Sequence, residues 1–201
     1  MEIVLSMPYK PLRIGGSDKF LSWIDLADDP DRIEIIYAMD SDNILMPRWC
    51  DIPESTVLPC ESYGSSNLHK YHNEVAKRVD AKYYQILADD CEMLTKGWDS
   101  ILMENDYLIG QIGGSYAYPS VNRKIVDCLG YLARHTVDAY LRYLGRGITT
   151  SFPNIKFKQH TDDNEDPNRN SVNQSISKSF HSDETRLMIE EDKEKIREML
   201  S

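Results

Sequence analysis

Two short apolar runs, residues 32–39 and 83–87, end directly on carboxylates: Asp40 and Asp42 after the first, Asp89, Asp90 and Glu92 after the second. Each run has the length and the β-branched or aromatic content of a buried strand, and helical periodicity stands between them. Strands that alternate with helices join by right-handed crossovers, which bring the carboxyl ends of parallel strands to one edge of a sheet. Ligands bind at that edge in open α/β sheets, and carboxylates crowded there repel one another unless a cation or a basic partner compensates them. Asp40, Asp42, Asp89 and Asp90 are therefore expected to line a single cleft. The plain alternative is an acidic turn between a strand and a helix.

The rest of the chain supports the alternation. Residues 2–8 form a strand stopped by Pro8, and the Pro- and Gly-rich residues 9–17 make a loop. A helix over 18–26 follows, capped by Ser17 or Asp18. Residues 43–66 lack periodicity beyond a short strand near 56–58. A helix over 67–79 then places Leu68, Tyr71, Val75 and Val79 on one stripe. After the second acidic cluster, Gly97-Trp98-Asp99 opens a helix over 99–105, and a strand runs over 107–112. Ser120 caps a helix over 121–133, and a further helix over 136–144 carries Asp138 near its start. The last strand spans 154–159, and His160 follows it. Residues 161–179 are too polar to order themselves and read as a flexible loop and lid. Residues 180–201 form a charged, solvated terminal helix, so residues 1–160 hold the functional domain.

Composition narrows the partners. Among 201 residues, 33 acidic and 23 basic side chains leave a formal charge of -10, which advertises no face for anionic lipid or a long nucleic-acid footprint. A local basic cleft drawn from Lys10, Arg13, Arg123, Lys124 and Arg142 is the route by which DNA would still be met. Cys50, Cys60, Cys91 and Cys128 lack C-x-x-C spacing, and neither a signal-like N-terminus nor a long apolar run is present. Free buried thiols in a cytoplasmic protein are the expectation.

In order and spacing these features resemble the family 2 glycosyltransferases of the GT-A fold, in the compact form often encoded by phages and other viruses. The resemblance covers most of residues 2–160. It rests on the first strand running into Met7-Pro8 and an Arg-containing loop, and on a helix with Phe20, Leu21 and Trp23. Asp29-Pro30-Asp31-Arg32-Ile33-Glu34-Ile35 leads into Asp40-Ser41-Asp42, and Ala88-Asp89-Asp90 stands ahead of Thr95-Lys96-Gly97-Trp98-Asp99. It implies a Rossmann-like α/β/α sandwich with a mostly parallel sheet, and a nucleotide-sugar donor, UDP-linked in the first instance. Donor contacts fall on Pro8, Tyr9, Arg13, Asp40, Asp42, Gly64, Asn73 and Asp89, with Asn73 holding the loop that carries Asp89.

The same resemblance places Mn²⁺ or Mg²⁺ on Asp89, Asp90 and His160 and the catalytic base of an inverting reaction at Asp138. Trp98 either packs the helix after the metal loop or, with Asp99, offers an acceptor contact. The sequence departs from the family at two points. No Asp-x-Asp triplet stands at the metal site, and Tyr9-Lys10-Pro11-Leu12-Arg13 replaces the usual N-terminal loop. The acceptor is a saccharide or another hydroxyl-bearing molecule, a hydroxymethylated pyrimidine in viral DNA included. Three other readings use the same residues: a degraded module that binds nucleotide or sugar without turnover, a metal-dependent phosphoryl-transfer enzyme, and a purely structural interaction protein. The absence of a Gly-rich loop with Lys and Ser/Thr speaks against a P-loop version of the phosphoryl-transfer reading.

Overall fold

The computed structural model describes residues 1–9, 18–41, 55–88, 91–114, 117–159 and 182–201. In chain order the strands are β1 (Ile3–Tyr9), β2 (Ile33–Asp40), β3 (Ser55–Cys60), β4 (Tyr83–Ile86), β5 (Cys91–Met93), β6 (Ile109–Ile112), β7 (Ser120–Asn122), β8 (Thr149–Phe152) and β9 (Phe157–Gln159). The α-helices are α1 (Ser22–Asp25), α2 (Leu68–Arg78), α3 (Trp98–Met103), α4 (Arg123–Leu129), α5 (Val137–Leu144) and α6 (Asp183–Leu200). The main sheet has the order β3-β2-β1-β4-β7-β6-β8, with β5 and β9 paired in a small second sheet. In the main sheet β7 is antiparallel to both of its neighbours and the other pairs are parallel, while β5 and β9 are antiparallel.

Side-chain alternation along the buried strands builds a core on each face. Val4, Ile36 and Ala38 point to the face covered by α2, α4, α5 and α6, where Tyr71, Val75, Ile125, Leu141 and Ile189 are buried. Ile3, Leu5, Met7, Ile35 and Tyr37 point the other way, to Phe20, Trp23, Trp98 and Leu102 of the opposite layer. Two covered faces are what near-continuous apolar runs such as Ile33–Met39 require. The α/β/α sandwich that the resemblance implies is therefore present.

Several boundaries differ from the sequence expectation for local reasons. The helix expected over 121–133 begins as a strand, because Ser120, Val121 and Asn122 fill the gap between β4 and β6. Its cap is Asn122, whose side chain accepts the Lys124 N–H at 2.9 Å, so Ser120 has no capping role. The strand expected over 154–159 is shorter and pairs with β5 outside the main sheet, while the unexpected β8 forms the sheet's edge. The segment 18–26 is a 3₁₀ turn, Asp18–Leu21, followed by the single turn of α1.

Helix α6 is not merely a solvated helix. It buries Ile189 and Ile196 against the domain, and it inserts Asp192, 1% exposed. That carboxylate accepts the hydroxyls of Tyr131 at 2.6 Å and Tyr140 at 2.8 Å, which satisfies a charge that would be costly unpaired in the core. Cys60 and Cys91 are buried and Cys128 is partly buried, none of the three in a disulfide; Cys50 lies outside the described residues. Among the described residues no helix is long and apolar enough to cross a membrane.

Candidate active site

Register places the carboxyl ends of four strands along one edge. Tyr9 of β1 lies beside Met39 of β2, Asp40 beside Cys60 of β3, and β4 leaves the sheet where Leu87 N–H donates to Ser6 O at 3.0 Å. Asp40 is thus the last residue of β2, partly exposed at that edge. Its Oδ1 accepts the Tyr71 hydroxyl, and its Oδ2 accepts Ser62 Oγ at 3.2 Å. The Tyr71 oxygen in turn accepts the backbone N–H groups of Tyr63 at 3.1 Å and Gly64 at 3.2 Å. Gly64 is exposed with φ +73, a backbone conformation that glycine adopts without strain, and it presents its main chain at the edge. Pro8 stands on the same edge, paired with Ala38.

Helix α2 starts at this edge and organises the segment that leads into α5. Asn73 accepts the N–H groups of Leu132 at 2.9 Å and Ala133 at 3.0 Å, and its amide donates to Ala133 O at 2.8 Å. Asn73 therefore fastens residues 132–133, not the loop that carries Asp89. In the first turn of α2, the His69 ring lies against that of His135, with centroids 6.3 Å apart. His135 has φ 52, a left-handed conformation unusual outside glycine. Three residues further on, Asp138 is exposed in the first turn of α5, the helix that follows the segment fastened to α2 by Asn73.

Burial, followed by the charges of His135 and Lys70, pushes His69 down to about 4. One turn along, His72 is buried with its Nδ1 2.7 Å from Ser6 Oγ, and burial, then His69, pushes it down to about 3. Both rings are neutral near pH 7.

Other residues that the sequence pointed to lie elsewhere. Trp98 and Asp99 are 0% exposed, so neither offers a surface to an acceptor. Trp98 packs edge-on against Trp23 at 4.9 Å, and its indole N–H donates to Trp23 O at 2.7 Å. Asp99 accepts the N–H groups of Asp28 at 2.8 Å and Asp29 at 3.1 Å, and lies 3.8 Å from Arg32. Arg32 immediately precedes β2 and also pairs with Glu2, immediately before β1, so Asp99 sits at the amino edge of the sheet. Along an eight-residue strand that edge is about 25 Å from Asp40. Gly97 makes this corner with φ +69, where a Cβ would come within 2.5 Å of Asp28.

Arg123 and Lys124 are at the amino edge too, directly after Asn122, which pairs with Tyr83 at the start of β4. There Arg123 pairs with Asp127 at 2.7 Å and Asp80 at 3.3 Å, and Lys124 with Asp106 at 3.2 Å. They do not contribute to a basic cleft at the carboxyl edge.

Lys10, Arg13, Asp42, Asp89, Asp90, His160 and the polar segment 161–179 lie outside the described residues, as does the side chain of Tyr9. Among the described residues no group of three His, Cys, Asp or Glu side chains is placed to hold a metal. The chain neighbours of the expected ligands are nevertheless joined: Cys91, next after Asp90, is the register partner of Gln159, next before His160. β5 is itself anchored by α1, since Trp23 Nε1–H donates to Cys91 O at 3.2 Å and Met93 N–H donates to Ser22 Oγ at 2.7 Å. Tyr71, His69 and Trp23 are the site-shaping residues that the sequence did not single out. Each sits at a helical spacing indistinguishable from plain core packing, and the tyrosine and tryptophan partners, Asp40 and Cys91, are 31 and 68 residues away on the chain.

No protein-family model matches the chain, and no curated protein matches it in sequence. Solved structures match in fold. TarS from S. aureus superposes with a TM-score of 0.62 at 12% identity, covering 91% of this chain and 40% of that one. TarS 1-349 in complex with UDP gives 0.60 at 12% identity, over 91% and 67% of the two chains. The mannosyltransferase PcManGT from Pyrobaculum calidifontis, in complex with GDP-Man and Mn²⁺, gives 0.62 at 10% identity, over 82% and 58%. The chain has the GT-A fold, and it spans less than half the length of the longer TarS chain.

Proposed function

We propose that this chain is a glycosyltransferase that moves a sugar from a nucleotide-diphosphate donor, UDP-linked in the first instance, to an acceptor hydroxyl with inversion at the anomeric carbon. The observation that carries the reading is the partly exposed Asp40 carboxylate at the carboxyl edge of a GT-A sheet. The exposed Asp138 at the start of α5, which follows the 132–133 segment tied to α2 by Asn73, supports it. The fold neighbours support the donor class, since TarS has been solved with UDP and with UDP-GlcNAc, and PcManGT with GDP-Man and Mn²⁺.

In this reading Asp40, with Asp42, accepts hydrogen bonds from the base or ribose and positions the donor. Pro8, Tyr9, Arg13 and the Gly64 backbone complete the donor side. Asp138 draws the proton from the acceptor hydroxyl as the new bond forms, a general-base role worth about 10²–10⁴ in rate. Asp89, Asp90 and His160 would hold Mn²⁺ or Mg²⁺, and the pairing of Cys91 with Gln159 supports that grouping. A cation there supplies Lewis-acid stabilisation of the departing diphosphate. The acceptor is a saccharide or another hydroxyl-bearing molecule, met in the cytoplasm. With Arg123 and Lys124 on the far edge, DNA gains no support from the described cations.

Thermal denaturation with UDP, GDP, CDP and TDP, each with and without Mn²⁺, tests the reading, because a ligand that binds the folded state alone raises its stability. A metal-dependent rise with one nucleotide, followed by sugar release from the matching nucleotide-sugar, is the expected result. No rise with any pair overturns it.

A further inference from the structure

The Asp40 carboxylate is aimed by a tyrosine. The Tyr71 hydroxyl has one proton to donate and two lone pairs, and all three are engaged: the proton at Asp40 Oδ1, the lone pairs at the N–H groups of Tyr63 and Gly64. Burial and then the bond to Asp40 push this phenol up to about 12, so it remains a donor throughout the neutral range. Ser62 holds the other carboxylate oxygen at 3.2 Å. The plane of the carboxylate is therefore tied to the 62–64 backbone, and Tyr71 also packs edge-on against the Tyr63 ring at 5.1 Å. Each Asp40 oxygen keeps one acceptor position free, and the residue is partly exposed at the ligand edge.

Resting on the donor reading above, we infer that Tyr71, with Ser62 as the minor partner, is a positioning residue that sets nucleobase choice by fixing how Asp40 faces the base. A carboxylate held in one plane accepts from bases that present a ring N–H, uracil and guanine. Cytosine offers it only the exocyclic amino group, with the adjacent bare ring nitrogen facing it lone pair to lone pair. A carboxylate free to turn, or to take a water in between, loses that discrimination while keeping its charge.

The test is calorimetric titration of the full chain with UDP, GDP and CDP in Mn²⁺, comparing wild type, Tyr71→Phe, Asp40→Asn and the double variant. The expected result is a wild type that prefers UDP or GDP over CDP, and a Tyr71→Phe preference reduced by about fivefold, the net worth of one hydrogen bond. In the Asp40→Asn background the Phe substitution should change the preference no further, since the two act as one unit. Tyr71→Phe weakening all three nucleotides alike, or an effect that persists in Asp40→Asn, assigns Tyr71 a structural role and overturns the inference. A wild type that binds without preference overturns the inference and leaves the donor reading standing; one that binds no nucleotide overturns both. If Tyr71→Phe does not fold, Ser62→Ala at an exposed residue decides the matter: a smaller preference supports the inference, an unchanged one overturns it.

Discussion

Asp99 and Asp40 are the same residue type at opposite ends of one sheet. Asp99, at the amino edge, is fully buried, and its two oxygens take two backbone N–H groups with Arg32 close by. Asp40, at the carboxyl edge, is partly exposed, and its hydroxyl partners leave acceptor positions free. The first carboxylate closes a corner that joins the start of β2 to α3. The second is held in place with capacity left for something that is not protein. An aspartate that satisfies the backbone is a fastener, whereas one that is aimed but unsaturated is a candidate ligand group, and proximity to Gly-Trp or to a strand end does not separate them.

The comparison makes ordered predictions. Asp99→Ala removes the acceptor for two buried N–H groups and is expected to destabilise the fold by about 4 kcal/mol, read from urea denaturation. A loss under about 1 kcal/mol would erase the distinction between the two edges. Asp138→Asn, at an exposed position in the first turn of α5, should leave the denaturation midpoint in place and reduce sugar transfer about 10²-fold or more. Full activity would remove Asp138 from the proposed chemistry.

The third prediction concerns pH and lies between the edges, under β1. His72 has its folded pKa, about 3, below its unfolded value of about 6.5. Between those values the unfolded chain binds the proton that the folded one excludes, so stability is lost as pH falls through that window and is intact above it. The slope from this group is about 1.4 kcal/mol per pH unit. Denaturation at pH 7, 6 and 5 should show it, and His72→Gln should flatten it. Asp40→Ala is expected to cost no more than about 1 kcal/mol of stability, yet it should abolish the nucleotide-dependent rise in melting temperature. A large stability loss with intact nucleotide binding would invert the assignment of the two aspartates.

Much of the architecture was legible because strand and helix periodicities are local properties. The runs at 3–8, 33–39 and 83–86 alternate with helical stretches, and parallel crossover geometry then forces their carboxyl ends together. Asp40 at that edge follows from sequence alone. Three-residue strands were not legible. Ser120–Asn122 and Cys91–Met93 are too short to show a period, and they become strands because partners distant in sequence supply the hydrogen bonds. The terminal helix shows the same gap. Its charge pattern reads as solvated, yet Asp192 is buried, because Tyr131 and Tyr140 bring it two hydroxyls from more than fifty residues upstream.

The sequence by itself determined which residues are apolar, where turns fall and which strands end on acids, and so the layered fold and the edge where ligands meet it. Tertiary structure alone decided that Asp99 and Trp98 belong to the core, that Asn73 fastens the approach to α5, and that Tyr71 aims Asp40. The physical reason is that a polar side chain's role depends on whether its lone pairs and protons are already satisfied. That satisfaction comes from groups 31 to 71 positions away, which no local pattern encodes.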